Sequence, residues 1–224
     1  MTQSRIIDLS YPIKSDMLVY PGTERPAFQW VGRVNSEGFN LTRMSMLVHT
    51  GTHVDAPAHF IENGAAIDEI PLEQLFGKAR LFRYQEEPRG QEITSQDLSA
   101  AGFELEDDMI FVLETGIEKF GETRKYNELF PVPSDELLHY LIGKKIRAYM
   151  TDATATDAVG AKMSSKHHIL LGAGIPIVEN LMNLHQLPEN RPFLVSALPI
   201  RLSGREGAPC RAIAVTDIEA LMHA

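Results

Sequence analysis

Residues His49 to Phe60 read His-Thr-Gly-Thr-His-Val-Asp-Ala-Pro-Ala-His-Phe, which places three of the chain's eight histidines and one aspartate on alternate residues of one short segment. Neutral imidazole nitrogen and carboxylate oxygen are the donors a divalent metal such as zinc takes where a position is left open for chemistry. His49 and His53 are four apart and would share a helical face, but Gly51, the β-branched Thr52 and Val54, and Pro57 all weaken a helix. An extended backbone accepts the first three and alternates its side chains, so His49, Gly51, His53 and Asp55 are expected on one face, Gly51 leaving room for an ion. Pro57 cannot donate to a ladder, so the regular strand should end near Asp55 and His59 should approach from a turn. Taken singly, each residue has a structural explanation, as a surface or core histidine or a capping aspartate. At this spacing they read together as a metal site. His59 stays open among three roles: ligand, support for a ligand, or proton carrier with an ordinary pKa near neutrality.

A chain of 224 residues suits one domain with a well-filled core, here taken as residues 1–224. Its formal charge of −9 argues against a nucleic-acid or anionic-membrane partner, both of which need clustered Lys and Arg, and favours a small-molecule substrate. Met-Thr-Gln-Ser-Arg at the start carries no apolar leader and no apolar run is long enough to span a bilayer, so the expected location is cytoplasmic. The single cysteine, Cys210, excludes an internal disulfide and a Cys-based zinc site; any metal must be held by His and carboxylates. Cys210 itself reads as packing.

Neither an internal repeat nor a low-complexity linker divides the chain. Short runs rich in Val, Ile, Phe and Tyr predict strands at Arg5–Leu9, Met17–Tyr20, Phe28–Val34, Phe39–His49, Lys78–Tyr84, Met109–Glu114, Ile146–Thr151, Ile175–Glu179, Phe193–Ile200 and Arg211–Val215. Ser203-Gly204-Arg205-Glu206-Gly207 reads as a loop between the last two. Helices are expected from Ser134 to Gly143, from Ser164 or Ser165 to Gly172, from Thr94 or Ser95 through Leu98, and from Thr216-Asp217 to the end. Strands first, then strands alternating with helices, point to a strand-rich mixed α/β domain and not to a doubly wound parallel sheet. No Gly-rich phosphate or dinucleotide fingerprint is present.

A second cluster, Lys166-His167-His168 followed by Glu179, reads as a helix, a Gly-containing turn and a buried strand, elements that fold back on each other and can bring a histidine and Glu179 to one site. The competing reading leaves both histidines exposed and makes Glu179 the cap of a helix from Asn180 to Gln186.

The segment from His49 to Phe60 resembles the H-x-G-T-H-x-D-x-P-x-H-F signature of the cyclase-like metal-dependent hydrolase family, which includes bacterial kynurenine formamidase and isatin hydrolase. The likeness continues through Val19-Tyr20-Pro21-Gly22, His167 to Glu179, Ala197-Leu198-Pro199 and Ala208-Pro209-Cys210-Arg211-Ala212. The resemblance implies that His49, His53 and Asp55 hold one metal and that Asp55, His167 and Glu179 hold a second, with Asp55 bridging and His59 as catalytic acid/base. It selects His167 over His168, because the family's histidine precedes its glutamate by twelve residues. It implies two ions per chain, zinc or manganese, a swivelling β/β/α fold and a homo-oligomer, dimer or tetramer. Tyr20 falls where kynurenine formamidases typically line the substrate pocket with tryptophan, and Ala155 where several members carry serine.

Such a metal keeps open positions and lowers the pKa of bound water toward neutrality. The expected reaction is hydrolysis of a carbon–nitrogen bond in an aryl-formamide or cyclic amide, with kynurenine formamidase (arylformamidase) the leading specific activity. His59 would take a proton from water and give one to the departing amine. Tyr20, Trp30 and Phe60 are candidates for an aromatic wall, although core packing is the simpler reading of Trp30 and Phe60. Two alternatives stand beside this: a metal-assisted cyclase or lyase acting on a carbonyl compound, and a non-catalytic metal- or small-ligand-binding protein, whose metal would be fully coordinated with no open position and no role for His59.

Overall fold

The computed structural model describes residues 6–121, 123–189 and 191–217. Its strands are β1 (Ile6–Asp8), β2 (Ala27–Gly32), β3 (Leu41–Ser45), β4 (His53–Asp55), β5 (Phe76–Arg83), β6 (Glu92–Ile93), β7 (Ile110–Glu114), β8 (Val132–Pro133), β9 (Tyr149–Thr151), β10 (Ile177–Glu179), β11 (Phe193–Ser196), β12 (Gly207–Pro209) and β13 (Ile213–Val215). Its α-helices are α1 (Val34–Glu37), α2 (Leu72–Leu75), α3 (Ser95–Ala100), α4 (Arg124–Glu128), α5 (Asp135–Gly143) and α6 (Ser165–Gly172).

Nine strands form one sheet in the order β1-β13-β11-β5-β7-β9-β10-β4-β12. The central run β5-β7-β9-β10 is parallel, and every other pairing within this sheet is antiparallel. This is the mixed α/β, strand-rich architecture expected, in place of a doubly wound sheet. The central strands are apolar on both faces, as strands covered on both sides must be. Phe111, Leu113, Tyr149 and Ile177 pack with Leu137, Leu138 and Leu141 of α5 and Leu170 and Leu171 of α6. Their neighbours Ile110, Val112, Met150 and Val178 turn to the opposite layer with Leu9, Val54 and Val195. Period-two alternation therefore splits each strand between two cores.

Helix starts follow local chemistry. Ser134 caps α5, its hydroxyl accepting the Leu137 N–H at 3.1 Å. Asp97 reaches back to the Thr94 N–H at 2.7 Å to close the start of α3.

Four expectations are corrected. Met17–Tyr20 is not a strand; bounded by Pro21-Gly22, it is an irregular segment tied down where the Asn127 amide donates to the Val19 carbonyl at 3.0 Å. The strand expected over Phe39–His49 is confined to β3, and Val48 to Gly51 form a turn. The Ser203–Gly207 segment is not wholly a loop, since Gly207 opens edge strand β12 against β4. The Asn180–Gln186 helix shrinks to a 3₁₀ turn at Leu184–Gln186. The expected C-terminal helix falls on residues 218–224, outside the described residues.

Candidate active site

Strand β4 lies between β10 and β12. Glu179 pairs opposite His53, while Asp55 pairs opposite Ile177 on one side and Gly207 on the other. Cross-strand partners share a face, so His53, Asp55 and Glu179 all point to the side that α6 covers, and Val54 and Val178 point away. Helix α6 carries His167 to the same place. His168 points elsewhere, exposed, with its Nδ1 2.8 Å from the Ser164 carbonyl of the preceding turn.

The donors converge on Asp55, which is 1% exposed. Its Oδ1 lies 2.6 Å from His49 Nδ1 and 3.2 Å from His53 Nε2, and its Oδ2 lies 3.7 Å from His167 Nε2. Glu179 closes the ring, Oε2 at 3.8 Å from His53 Nε2 and Oε1 at 3.3 Å from His167 Nε2. Within this cluster the tightest trios are His49 with Asp55 and His59, and His53 with Asp55 and Glu179, their donor atoms all within 4.8 Å of one another. All five expected metal donors thus meet, and His59 adds a sixth donor, the fourth nitrogen. His59 sits in a 3₁₀ turn at Pro57–His59, the turn that Pro57 implied, with its ring stacked on His49 at 3.9 Å.

Within the segment from His49 to Phe60, only His53 and Asp55 among the donors belong to an extended strand. His49 comes from the preceding turn, where Gly51 has φ +66°, so simple alternation from His49 to Asp55 does not hold. Gly51 does not clear space for an ion: a β-carbon there would face Ile13 and Met17. Its contribution is its carbonyl, which lies 2.8 Å from His53 Nδ1. A carbonyl only accepts, so Nδ1 carries the proton and Nε2 is left to face the carboxylates.

Two carboxylates in one buried cluster repel unless positive charge separates them. Burial opposes charge on His53, yet Asp55 and Glu179 push it up to about 9. Burial opposes charge on His167 too, but hydrogen bonds to Asp157 and Glu179, and the charge of Asp55, push it up to about 10. Burial would raise Asp55, yet His53 and His49 hold it well below the usual carboxylate range. His59 moves the other way, burial and the neighbouring imidazoles drawing it down to about 4 against the pull of Asp55. Imidazolium charge holds the two carboxylates together, and a cation in the same place would supply that charge with the imidazoles neutral. His49 Nε2 is in addition buried with no hydrogen-bond partner. A nitrogen-and-oxygen donor set of this kind fits a divalent metal.

A cavity of about 330 Å³ opens over these donors, walled by Tyr20, Leu47 and Phe60 and floored by small residues including Ala155, Ala158 and Gly160. Phe60 is not simply core packing; its ring stacks on His167 at 4.5 Å. Trp30 is neither core nor wall, being 49% exposed on the β2–β3 hairpin beneath the Arg33 guanidinium. Cys210 packs against the core, and burial pushes its thiol up to about 12.

Sequence reasoning missed Thr156 and Asp157, which touch Glu179 and His167. It also missed Gly207, whose lack of a side chain admits the His49 ring.

Comparison with known proteins bears directly on this cluster, because the Cyclase family model matches residues 7–158, the span that delivers His49, His53, Asp55 and His59. The chain belongs to the cyclase family. One relative, the kynurenine formamidase of Salinibacter ruber, is 30% identical over 213 residues, covering 93% of this chain and 96% of the relative. Among solved structures, isatin hydrolase A from Labrenzia aggregata, bound to benzyl benzoate, superposes with TM-score 0.86 at 27% identity over 96% of this chain and 94% of that one. A "predicted metal-dependent hydrolase" from Bacillus stearothermophilus gives TM-score 0.80 at 28% identity over 96% of this chain and all of its own.

Proposed function

We propose that this cyclase-family chain is a metal-dependent hydrolase of a carbon–nitrogen bond in a small aryl-formamide or cyclic amide, with kynurenine formamidase-like cleavage of an N-formyl-arylamine the leading activity. The observation that carries the reading is the convergence of His49, His53, His167 and Glu179 on buried Asp55 beneath an aromatic-walled cavity. The relatives' names support the reaction class.

Asp55 would bridge two ions, zinc or manganese, with His49 and His53 on one and His167 and Glu179 on the other. A cation so held supplies Lewis-acid charge and an acidified water. His59 does the proton work. Burial draws its pKa down to about 4, so the ring is neutral at pH 7 and takes a proton from water only as a weak base, while its protonated form is a strong donor. Returning that proton to the departing amine turns a poor leaving group into a good one. Tyr20, Leu47 and Phe60 offer the apolar surface for an aryl ring, and Ala155 and Ala158 keep the floor open to it. The cavity's access to solvent argues against a fully enclosed, purely structural metal.

We further place the protein in the cytoplasm as a homo-oligomer. Supporting the latter, Phe28, Trp30, Leu41 and Met44 of the β2–β3 hairpin are each 43–51% exposed. A two-stranded ribbon is marginal alone, and clustered exposed apolar residues favour an interface. Among the described residues no helix is long and apolar enough to cross a membrane.

The test is a panel of N-formyl-arylamines and cyclic imides offered to protein of known metal content. Release of formate and free arylamine is expected. Turnover only of substrates that lose or close a ring without consuming water would favour the cyclase or lyase alternative.

A further inference from the structure

His167 enters the site from the first turn of α6, and the carboxylate of Asp157, ten residues earlier, meets it there. Asp157 Oδ1 accepts the Lys166 N–H at 3.1 Å; Oδ2 accepts the His167 N–H at 3.1 Å and lies 2.5 Å from His167 Nδ1. An ionised carboxylate only accepts, so the ring proton sits on Nδ1. Nε2 is then the atom that faces Glu179 Oε1 and Asp55 Oδ2. The adjacent residue acts on the other donor: the Thr156 hydroxyl donates to Glu179 Oε1 at 2.8 Å.

The segment that carries this pair is itself fixed. The Asp152 carboxylate accepts from the Thr115 N–H and hydroxyl, both at 2.8 Å, and from the Gly116 N–H at 3.1 Å. Tyr126 donates its hydroxyl to the Asp152 carbonyl at 2.6 Å, and the Asn180 N–H donates to the Ala153 carbonyl at 2.9 Å.

We propose that Asp157 is a positioning residue for His167, holding the ring as the Nδ1–H tautomer with Nε2 turned toward Asp55 and Glu179. It does for His167 what the Gly51 carbonyl does for His53, with a full negative charge in place of a dipole. The proposal rests on the metal-site reading above. Outer partners of this kind typically change metal affinity by about 10- to 100-fold.

Capping α6 is the competing role, and Asp157→Asn weighs the two: its one amide oxygen can still accept from one of the two backbone N–H groups, while the charge that holds the ring proton is gone. Zinc titration calorimetry on wild type and D157N, denaturant unfolding of both without metal, and ring-nitrogen NMR of zinc-loaded wild type form the experiment. The expected result is a wild type with the His167 proton on Nδ1, and a D157N that binds one zinc equivalent about 10- to 100-fold more weakly, with an unfolding midpoint lowered only slightly, by the one helix N–H that loses its acceptor. Unchanged zinc affinity in D157N, or a wild-type His167 protonated on Nε2, overturns the positioning role alone. A wild type that binds no zinc overturns the metal-site reading, and the positioning role with it. Should D157N fail to fold, the wild-type spectrum decides.

Discussion

The Cε1 atom of His49 lies 2.6 Å from where a β-carbon on residue 207 would stand, so the ring and any side chain at that position compete for one space. The same β-carbon would come within 2.8 Å of the Val54 carbonyl, which is backbone and cannot swing aside. Gly207→Ala should therefore push His49 off Asp55 and strain the β4–β12 pairing. About 1–3 kcal/mol of stability should be lost, with weaker zinc binding. Urea unfolding and zinc titration of the variant measure both; wild-type values for each would show that His49 needs no such clearance.

His59→Ala should retain wild-type metal content and lose about a hundredfold or more in turnover, the usual scale of general acid/base help. His59 lies within reach of Asp55 and stacks on His49, and a neutral ring there can serve as a ligand or as a proton carrier. Elemental analysis and rate on the same sample separate these roles. Metal lost along with activity would make His59 a ligand.

Cys210 should be inert. Burial raises its pKa to about 12, favouring the thiol, so at pH 8 only about one molecule in ten thousand carries the reactive thiolate. Alkylation of folded protein at pH 8 should be slower than that of urea-unfolded protein by about a thousandfold, and should quicken with rising pH. Mass spectrometry follows it; equal rates in the two states would place the thiol in water.

Much of the site was legible because metal donors must be particular residue types, and because Pro57 marks where β4 stops and a turn begins. The β4 pair, His53 and Asp55, followed from strand periodicity alone. His49 did not: a turn with Gly51 at positive φ precedes the strand, and one glycine between threonines does not announce which way the chain bends. Strand β12 was hidden because Gly207-Ala208-Pro209 has turn-like composition, yet it forms an edge strand once β4 offers a partner. Asp157 was masked by Ser164 and Ser165, which look like the natural caps of α6, whereas the N–H groups of Lys166 and His167 turn to the more distant carboxylate. Short local spacing was readable; donors supplied from separate elements needed the fold.

The most direct test of the account is the metal content and the formamidase rate of Asp55→Asn, measured against wild type on single preparations. The account predicts that wild type carries metal and hydrolyses an N-formyl-arylamine, that chelation abolishes and zinc or manganese restores the rate, and that Asp55→Asn loses bound metal and activity together. An Asp55→Asn protein that keeps its full metal complement and full rate would contradict the claim that this buried carboxylate organises the centre.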